Sequence, residues 1–258
     1  DRDFKKNLIN DFQKEEFTMK AKRALSSKVL CIGLTFFIVA VAQISMAKTF
    51  KFNANVFYEK PVPMSGAGYG QWSKILEKES NGTLQPKVFY GGVLAPPKAS
   101  LTAVSDGIAE IGHIPAMYTP SELPVSNLLH ELSSNLSDSL STMAALTEYN
   151  FTNKELQDQY KKWNIIYGGA YSTPKYRIFC REKVCTLDEM KGKKVRTLGA
   201  GSALLIEKLG GIPVNVPSSE MYSGLEKGIL DCAANALSDL KARSLWDVSK
   251  HTTLMSLG

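Results

Sequence analysis

The sequence predicts an α/β fold built as two lobes, and three observations carry that reading. Extended segments alternate with helical patterns of the length that bridges parallel strands, first over 49–114 and again over 176–235. A glycine-rich joint, Gly168-Gly-Ala-Tyr-Ser-Thr-Pro174, separates the two runs. Finally, Ala103-Val-Ser-Asp-Gly-Ile-Ala-Glu-Ile-Gly112 echoes Gly224-Leu-Glu-Lys-Gly-Ile-Leu-Asp-Cys-Ala233: each ends a helix at Gly and runs through Ile-x-acid into a strand. Sheets of this kind hold ligands beyond the carboxyl ends of their strands, where the loops meet.

The elements follow in order. Phe50, Phe52, Ala54 and Val56 alternate as a strand does, and Phe57-Tyr58-Glu59-Lys60-Pro61 leaves it as a loop. Tyr69, Trp72, Ile75 and Leu76 recur at helical spacing, and Asn81-Gly82 stops that helix. Thr83 to Tyr90 reads as a second strand. Pro96-Pro97 opens a helix with Leu101, Val104 and Ile108 on one face, and Ile108 to Ile114 forms a third strand. Tyr118 to Pro124 is a loop, Ser139 to Trp163 one long helical pattern, and Ile165 to Tyr167 a short strand. The second lobe starts with a strand at Tyr176 to Cys180. Lys191-Gly192 closes a short helix, Val195 and Arg196 lie on a strand, and Gly199 to Gly201 turns it into a helix over Ser202 to Leu209.

Of 258 residues, 44% are hydrophobic and 22% charged, the composition of a globular protein. The net charge of +6 is concentrated early: 23 Lys/Arg and 20 Asp/Glu follow Ala47, a balance of +3 without a block of like charge. Nucleic acid is therefore not an expected partner. Residues 19–47 read as a secretory signal, with Met19-Lys-Ala-Lys-Arg23 as the positive start, an apolar run from Val29 to Ala42, and Ser45-Met-Ala47 as a small-x-small cleavage site. The run is short for a membrane span, so the mature chain is expected to be periplasmic and not membrane-embedded. Residues 1–18 read as upstream sequence translated in frame. The expected division is lobe I over 48–170 and lobe II over 171–255. At 256–258 the chain starts back towards lobe I, with the remainder missing. Cys180 and Cys185 flank a plausible turn and could pair in an oxidising compartment, with Cys232 left as a small buried residue.

Arg196 is the residue on which a binding reading turns. An Arg leaving a strand opposite a Gly-rich turn and a helix start suits an anion, because the guanidinium fork holds a carboxylate through two parallel bonds and free helix N–H groups add to it. A surface ion pair is the other reading of the same spacing. Catalytic groups are sparse. The three histidines, His113, His130 and His251, sit beside no candidate nucleophile, and there is no Gly-x-Ser-x-Gly elbow, no phosphate-binding lysine loop and no metal-type Cys/His spacing. No enzyme activity, cofactor or metal is expected. His113 stands in an apolar strand and reads as a core or cleft-edge histidine.

Several motifs together point to a family. Leu187-Asp-Glu-Met-Lys-Gly-Lys-Lys-Val-Arg196 is followed by Gly210-Gly-Ile-Pro-Val, Ser219-Glu-Met-Tyr222 and Leu225-Glu-Lys-Gly-Ile-Leu-Asp231. Softer matches are Asn81-Gly-Thr-Leu and Gly91-Gly-Val-Leu. Over Phe50 to Gly258 the sequence resembles the solute-binding proteins of TRAP transporters. The resemblance implies a two-lobed periplasmic binding protein of type II-like architecture, hinged at Gly168 to Pro174 and again near His251, that captures an organic acid and delivers it to the small and large TRAP membrane subunits. It assigns the carboxylate grip to Arg196, with Arg177 assisting and Asn235 contacting ligand; Ser218, Tyr58 and Tyr118 complete the expected pocket, beside Phe57. Ser218 stands where family members can carry an aromatic, and Ile114-Pro-Ala116 lacks the acid that sialic-acid binders carry. Family members are also longer. A sensor subunit serving a receptor kinase, a secreted hydrolase and an ABC-type binding protein are the rival readings.

Overall fold

The protein's structure, a computed structural model, describes residues 48–133 and 138–253. The expected signal at 19–47, the upstream segment at 1–18 and the expected return at 256–258 lie outside the described residues.

The first half builds a three-stranded parallel sheet. Strand β1 (Phe50–Asn55) lies in the middle, with α1 (Gly70–Glu79) leading to β2 (Leu84–Phe89) on one side. Helix α2 (Ser100–Ser105) leads to β3 (Ile111–Gly112) on the other, so the strand order is β2-β1-β3. Pro86 is tolerated in β2 because that strand is an edge and one of its sides needs no ladder donor. Strand β3 is shorter than the apolar run from Ile108 to Ile114 suggests. Ile108 is exposed and Gly107 turns with φ +75°, which shortens the pairing segment. Asn55, fully buried at the end of β1, donates to Ala95 O (3.2 Å) and Ser100 Oγ (3.1 Å) and accepts from Ala95 N. It thereby fastens the loop before α2 to the sheet.

Helix α3 (Pro124–Ser133) opens with proline in the first turn, where a missing N–H costs nothing. The long pattern from Ser139 to Trp163 divides into α4 (Ser139–Thr152) and α5 (Lys154–Lys162). The break is Asn153, whose extended backbone ends one helix while its side chain accepts from Leu156 N and caps the next. Ile165 to Tyr167 is not a strand: it pairs with nothing regular, and Ile166 is 91% exposed.

The second half forms a five-stranded mixed sheet. It contains β4 (Tyr176–Cys180), α6 (Leu187–Met190), β5 (Lys194–Thr197), α7 (Ala200–Lys208), β6 (Ile212–Asn215) and α8 (Met221–Glu226). After these come β7 (Cys232–Ala236), α9 (Leu237–Ala242), α10 (Leu245–Val248) and β8 (His251–Thr252). Strand order is β6-β5-β7-β4-β8; β5 runs parallel to β6 and β7, whereas β4 runs antiparallel to β7 and β8. The side-chain alternation of a strand divides the core in two. Ile178, Cys180, Val195 and Cys232 pack with Met190 and Ile206 on one face, and Phe179 and Ala233 pack with Met221, Leu225, Leu230 and Leu245 on the other. Central strand β7 is buried along its whole length.

The pairing that the sequence left open, Cys180 with Cys185, does not form. Cys180 bonds Cys232, not Cys185. The two are directly opposed in the antiparallel ladder of β4 and β7 with Cα atoms 4.0 Å apart, whereas Cys185 is exposed and free. Sequence proximity favours the short loop; strand register places the other thiol in bonding position. Among the described residues no helix is long and apolar enough to cross a membrane.

Candidate functional site

Arg196 is fully buried. In β5 it pairs with Val214 on one side and Ala233 on the other, which carries its side chain onto the face packed by Phe179, Met221 and Leu225. Its Nε donates to Val216 O (3.0 Å) and its Nη1 to Ala234 O (2.9 Å). The third nitrogen, Nη2, is buried without a hydrogen-bond partner. Among the described residues no carboxylate lies within ion-pair distance of this guanidinium. Tyr176 sits against it: burial raises the Tyr176 pKa, and the neighbouring Arg196 charge offsets part of that rise. A surface ion pair, the alternative reading of the sequence, is therefore not what this residue makes.

The helix start after β5 is not free for an outside anion. Glu131 of α3 reaches it, with Oε1 accepting from Ala200 N and Oε2 from Gly201 N, both at 2.9 Å. The first-turn donors of α7 and the positive end of its dipole thus hold a carboxylate of the chain itself. Gly199 and Gly201 make room for it. A Cβ at Gly199 would stand 2.1 Å from Glu131 Oε1, and Gly199 has φ +85°, so a side chain is excluded by both contact and backbone.

Four of the other expected residues converge on a buried arginine that sequence reasoning missed. Arg243, from the turn after α9, donates through Nε to Asp239 Oδ2 (3.1 Å) and through Nη1 to Glu59 Oε2 (2.6 Å), and it lies over the Tyr58 ring. Asn235 donates to the same Asp239 oxygen (2.9 Å). The carbonyl of Ser218 lies 3.5 Å from Arg243 Nη1, and the Ser218 N–H points to the Tyr118 hydroxyl at 3.4 Å. Arg177 is half-buried opposite Asn235 in the β4–β7 ladder and donates to the Tyr176 carbonyl (3.1 Å). The spacing of Glu59, Asp239 and Arg243 gives no hint of this network, because it joins chain segments 180 residues apart.

Beside this network lies a cavity of about 500 Å³, within the range of small-molecule sites. Its wall includes Tyr58, Tyr69, His113, Tyr171, Tyr176, Leu198 and Ala234, together with apolar residues of α3 and α4 such as Leu129, Met143 and Leu146. Of the expected site residues, Tyr58 lines it. Arg196, Arg177, Asn235, Ser218 and Tyr118 do not, although Tyr176 and Ala234, both in contact with Arg196, do. His113 is the second residue whose place the sequence left open. It lies 2% exposed on the cavity wall, ringed by Phe57, Tyr58, Tyr69 and Tyr171 at centroid distances of 5.0, 5.2, 5.7 and 4.3 Å. Burial lowers its pKa to about 3, so the ring is neutral at ordinary pH. Among the described residues no cluster of His, Cys, Asp or Glu could hold a metal ion.

Comparison with known proteins gives the family and the fold. The pattern of the DctP family, bacterial extracellular solute-binding protein family 7, matches residues 62–256. A solute-binding protein of Albidiferax ferrireducens is 24% identical over 183 residues, which is 69% of this chain and 52% of that protein. Among solved structures, a TRAP solute-binding protein of Rhodoferax ferrireducens, in complex with copurified benzoate, superposes with a TM-score of 0.71 at 21% identity, covering 78% of this chain and 62% of that one. A TRAP solute-binding protein from a marine metagenome, of an unidentified microbe and described as specific for aromatic acid ligands, carries 3-hydroxybenzoate. It superposes with a TM-score of 0.70 at 22% identity, over 80% of this chain and 63% of that one. The sugar acid binding protein of Advenella mimigardefordensis, with galactonate, gives 0.68 at 20% identity over 80% and 66%. The chain thus spans about half the length of the curated relative and under two thirds of the first solved one. Its fold is theirs, the two-lobed α/β fold of TRAP periplasmic binding proteins, and the family pattern covers most of its length: the chain belongs to the bacterial extracellular solute-binding proteins of family 7.

Proposed function

We propose that the protein is the periplasmic substrate-binding subunit of a TRAP-type secondary transporter. On this reading it captures an organic acid through Arg196, has no catalytic role, and hands the acid to the small and large membrane subunits. One observation carries the proposal: a guanidinium buried to zero exposure, two of its nitrogens held by carbonyls, the third without a hydrogen-bond partner, and no carboxylate among the described residues within ion-pair distance. Burying an unpaired charge costs several kcal/mol in a low-dielectric interior, and such sites persist where a counter-charge arrives. The acids carried by the solved relatives supply the matching chemistry.

The lobes of the proposed device are residues 48–170 and 171–255, hinged at Gly168 to Pro174. Contacts already cross between these parts: Glu131 to α7, Glu59 to Arg243, and Tyr118 to Ser218. Arg196 adjoins two residues of the cavity wall, Tyr176 and Ala234, and on this reading a carboxylate reaches its Nη2 from that side. Asn235, Ser218, Tyr58 and Tyr118 support the pocket through the Arg243 network, and Arg177 braces β4 beside Tyr176. The test is calorimetric titration of the full chain with small mono- and dicarboxylates. Arg196→Ala should cost on the order of 2–5 kcal/mol in affinity, with thermal melting confirming that the variant folds. An isotherm unaltered by the substitution would remove the assignment.

A further inference from the structure

His113 is a buried, neutral ring with unused bonding capacity. Neither Nδ1 nor Nε2 has a hydrogen-bond partner, and the residue lies on the cavity wall at 2% exposure. A neutral imidazole presents one donor and one acceptor, and leaving both unmet inside a protein is costly. Its neighbours on the wall, Tyr58, Tyr69 and Tyr171, contribute ring surface. Burial raises the pKa of all three phenols, so they stay neutral, and the cation against Tyr58, Arg243, is already paired with Glu59 and Asp239. Lys175, also on the wall, is exposed to solvent, and Glu131 is engaged by α7. The corner therefore fits a planar uncharged group better than a second carboxylate. Tyr176 lies on the same wall and adjoins Arg196, whose charge offsets part of the burial-driven rise in the Tyr176 pKa.

We propose that the site takes a hydroxylated aromatic monocarboxylate, with the ring seated among Tyr58, Tyr69 and Tyr171 and the ligand hydroxyl exchanging hydrogen bonds with His113. This deepens the organic-acid reading and rests on it. A phenolic hydroxyl both donates and accepts, so it satisfies either imidazole nitrogen. Aromatic rings gain from edge and offset contacts with tyrosines, which an aliphatic chain does not. His113 is thus a specificity residue, set apart from the anchoring arginine.

The experiment titrates the full chain calorimetrically with benzoate, the ortho, meta and para hydroxybenzoates, and succinate. At least one hydroxybenzoate should bind about 10-fold or more tightly than benzoate, the ratio expected when a buried polar group gains its partner. In His113→Phe, which keeps a ring among rings, that ratio should collapse towards unity; in His113→Gln, which keeps a donor and an acceptor, part of it should survive. A ratio unchanged in His113→Phe, or succinate bound more tightly than every aromatic acid, overturns the inference while leaving an Arg196-dependent acid site standing. Binding of acids that is indifferent to Arg196→Ala overturns the underlying reading instead. Should His113→Phe not fold, the ratio in His113→Gln and in the unaltered protein decides alone.

Discussion

Two buried residues, Arg196 and His113, differ in how the surrounding chain meets their polar atoms. At zero exposure the Arg196 guanidinium is held by two backbone carbonyls. His113 has no such help and stays neutral. The stability consequence has a definite sign. The folded pKa, about 3, lies below the ordinary imidazole value of 6.5. Between these limits the unfolded chain binds a proton that the folded chain refuses. The contribution is therefore fully present above 6.5 and is lost as pH falls towards 3, with a slope of about 1.4 kcal/mol per pH unit. His113→Phe should flatten the acid side of a denaturant-midpoint profile by that amount, while the similarly lowered His130 remains in both proteins. Parallel profiles below pH 6 would show that His113 is not neutral in the fold. Sequence placed Arg196 correctly on a strand, but its side chain meets the carbonyls of Val216 and Ala234, and the helix start opposite is taken by Glu131. It left His113 undecided between core and cleft because the distinction depends on Tyr171, which arrives 58 positions later and packs 4.3 Å from the imidazole.

Among the elements, α7 shows most clearly how local pattern and tertiary context divide the work. Its glycine turn and its start were legible, since Gly199 needs a left-handed backbone and the residues after it favour a helix. Its occupant was not, because Glu131 comes from α3, a helix hidden behind a proline-bounded loop. A carboxylate held by two first-turn N–H groups is a strong N-terminal cap, so Glu131→Gln should lower stability by about 1 kcal/mol. Chemical denaturation at low salt reads this directly, and a change under a few tenths would mean the contact contributes little. The same division explains the helices of residues 139–162. Helical periodicity runs on through Asn153, yet its capping hydrogen bond to Leu156 N is cheaper than continuing the helix. Residues 165–167 are apolar enough for a strand but have no ladder to join.

For the whole molecule, alternation of strands and helices carried the α/β assignment, and register supplied what alternation cannot. Parallel and antiparallel pairing, the reversal at β4, and the contacts between the two halves all depend on partners far away in sequence. Those contacts are both polar and apolar: Glu131 on α7 and Glu59 on Arg243 carry charge, while Leu198 and Ala242 pack against the cluster of Phe57, Tyr58, Met117 and Tyr118. Glu59→Gln combined with Glu131→Gln should therefore loosen the link between the halves without dissolving either core. Small-angle scattering of the unliganded chain should then give a larger radius of gyration, restored by a bound acid; identical scattering from both proteins would argue that the halves are held by packing alone. The cysteines have a further consequence. After Ala47 there are three, and the exposed Cys185 lies five positions from Cys180, whose native mate Cys232 is 52 positions away. During oxidation the nearer thiol closes its small ring sooner, giving a scrambled isomer that leaves β7 untethered. Productive maturation then needs a reshuffling catalyst or slow spontaneous exchange, and Cys185→Ser removes that detour.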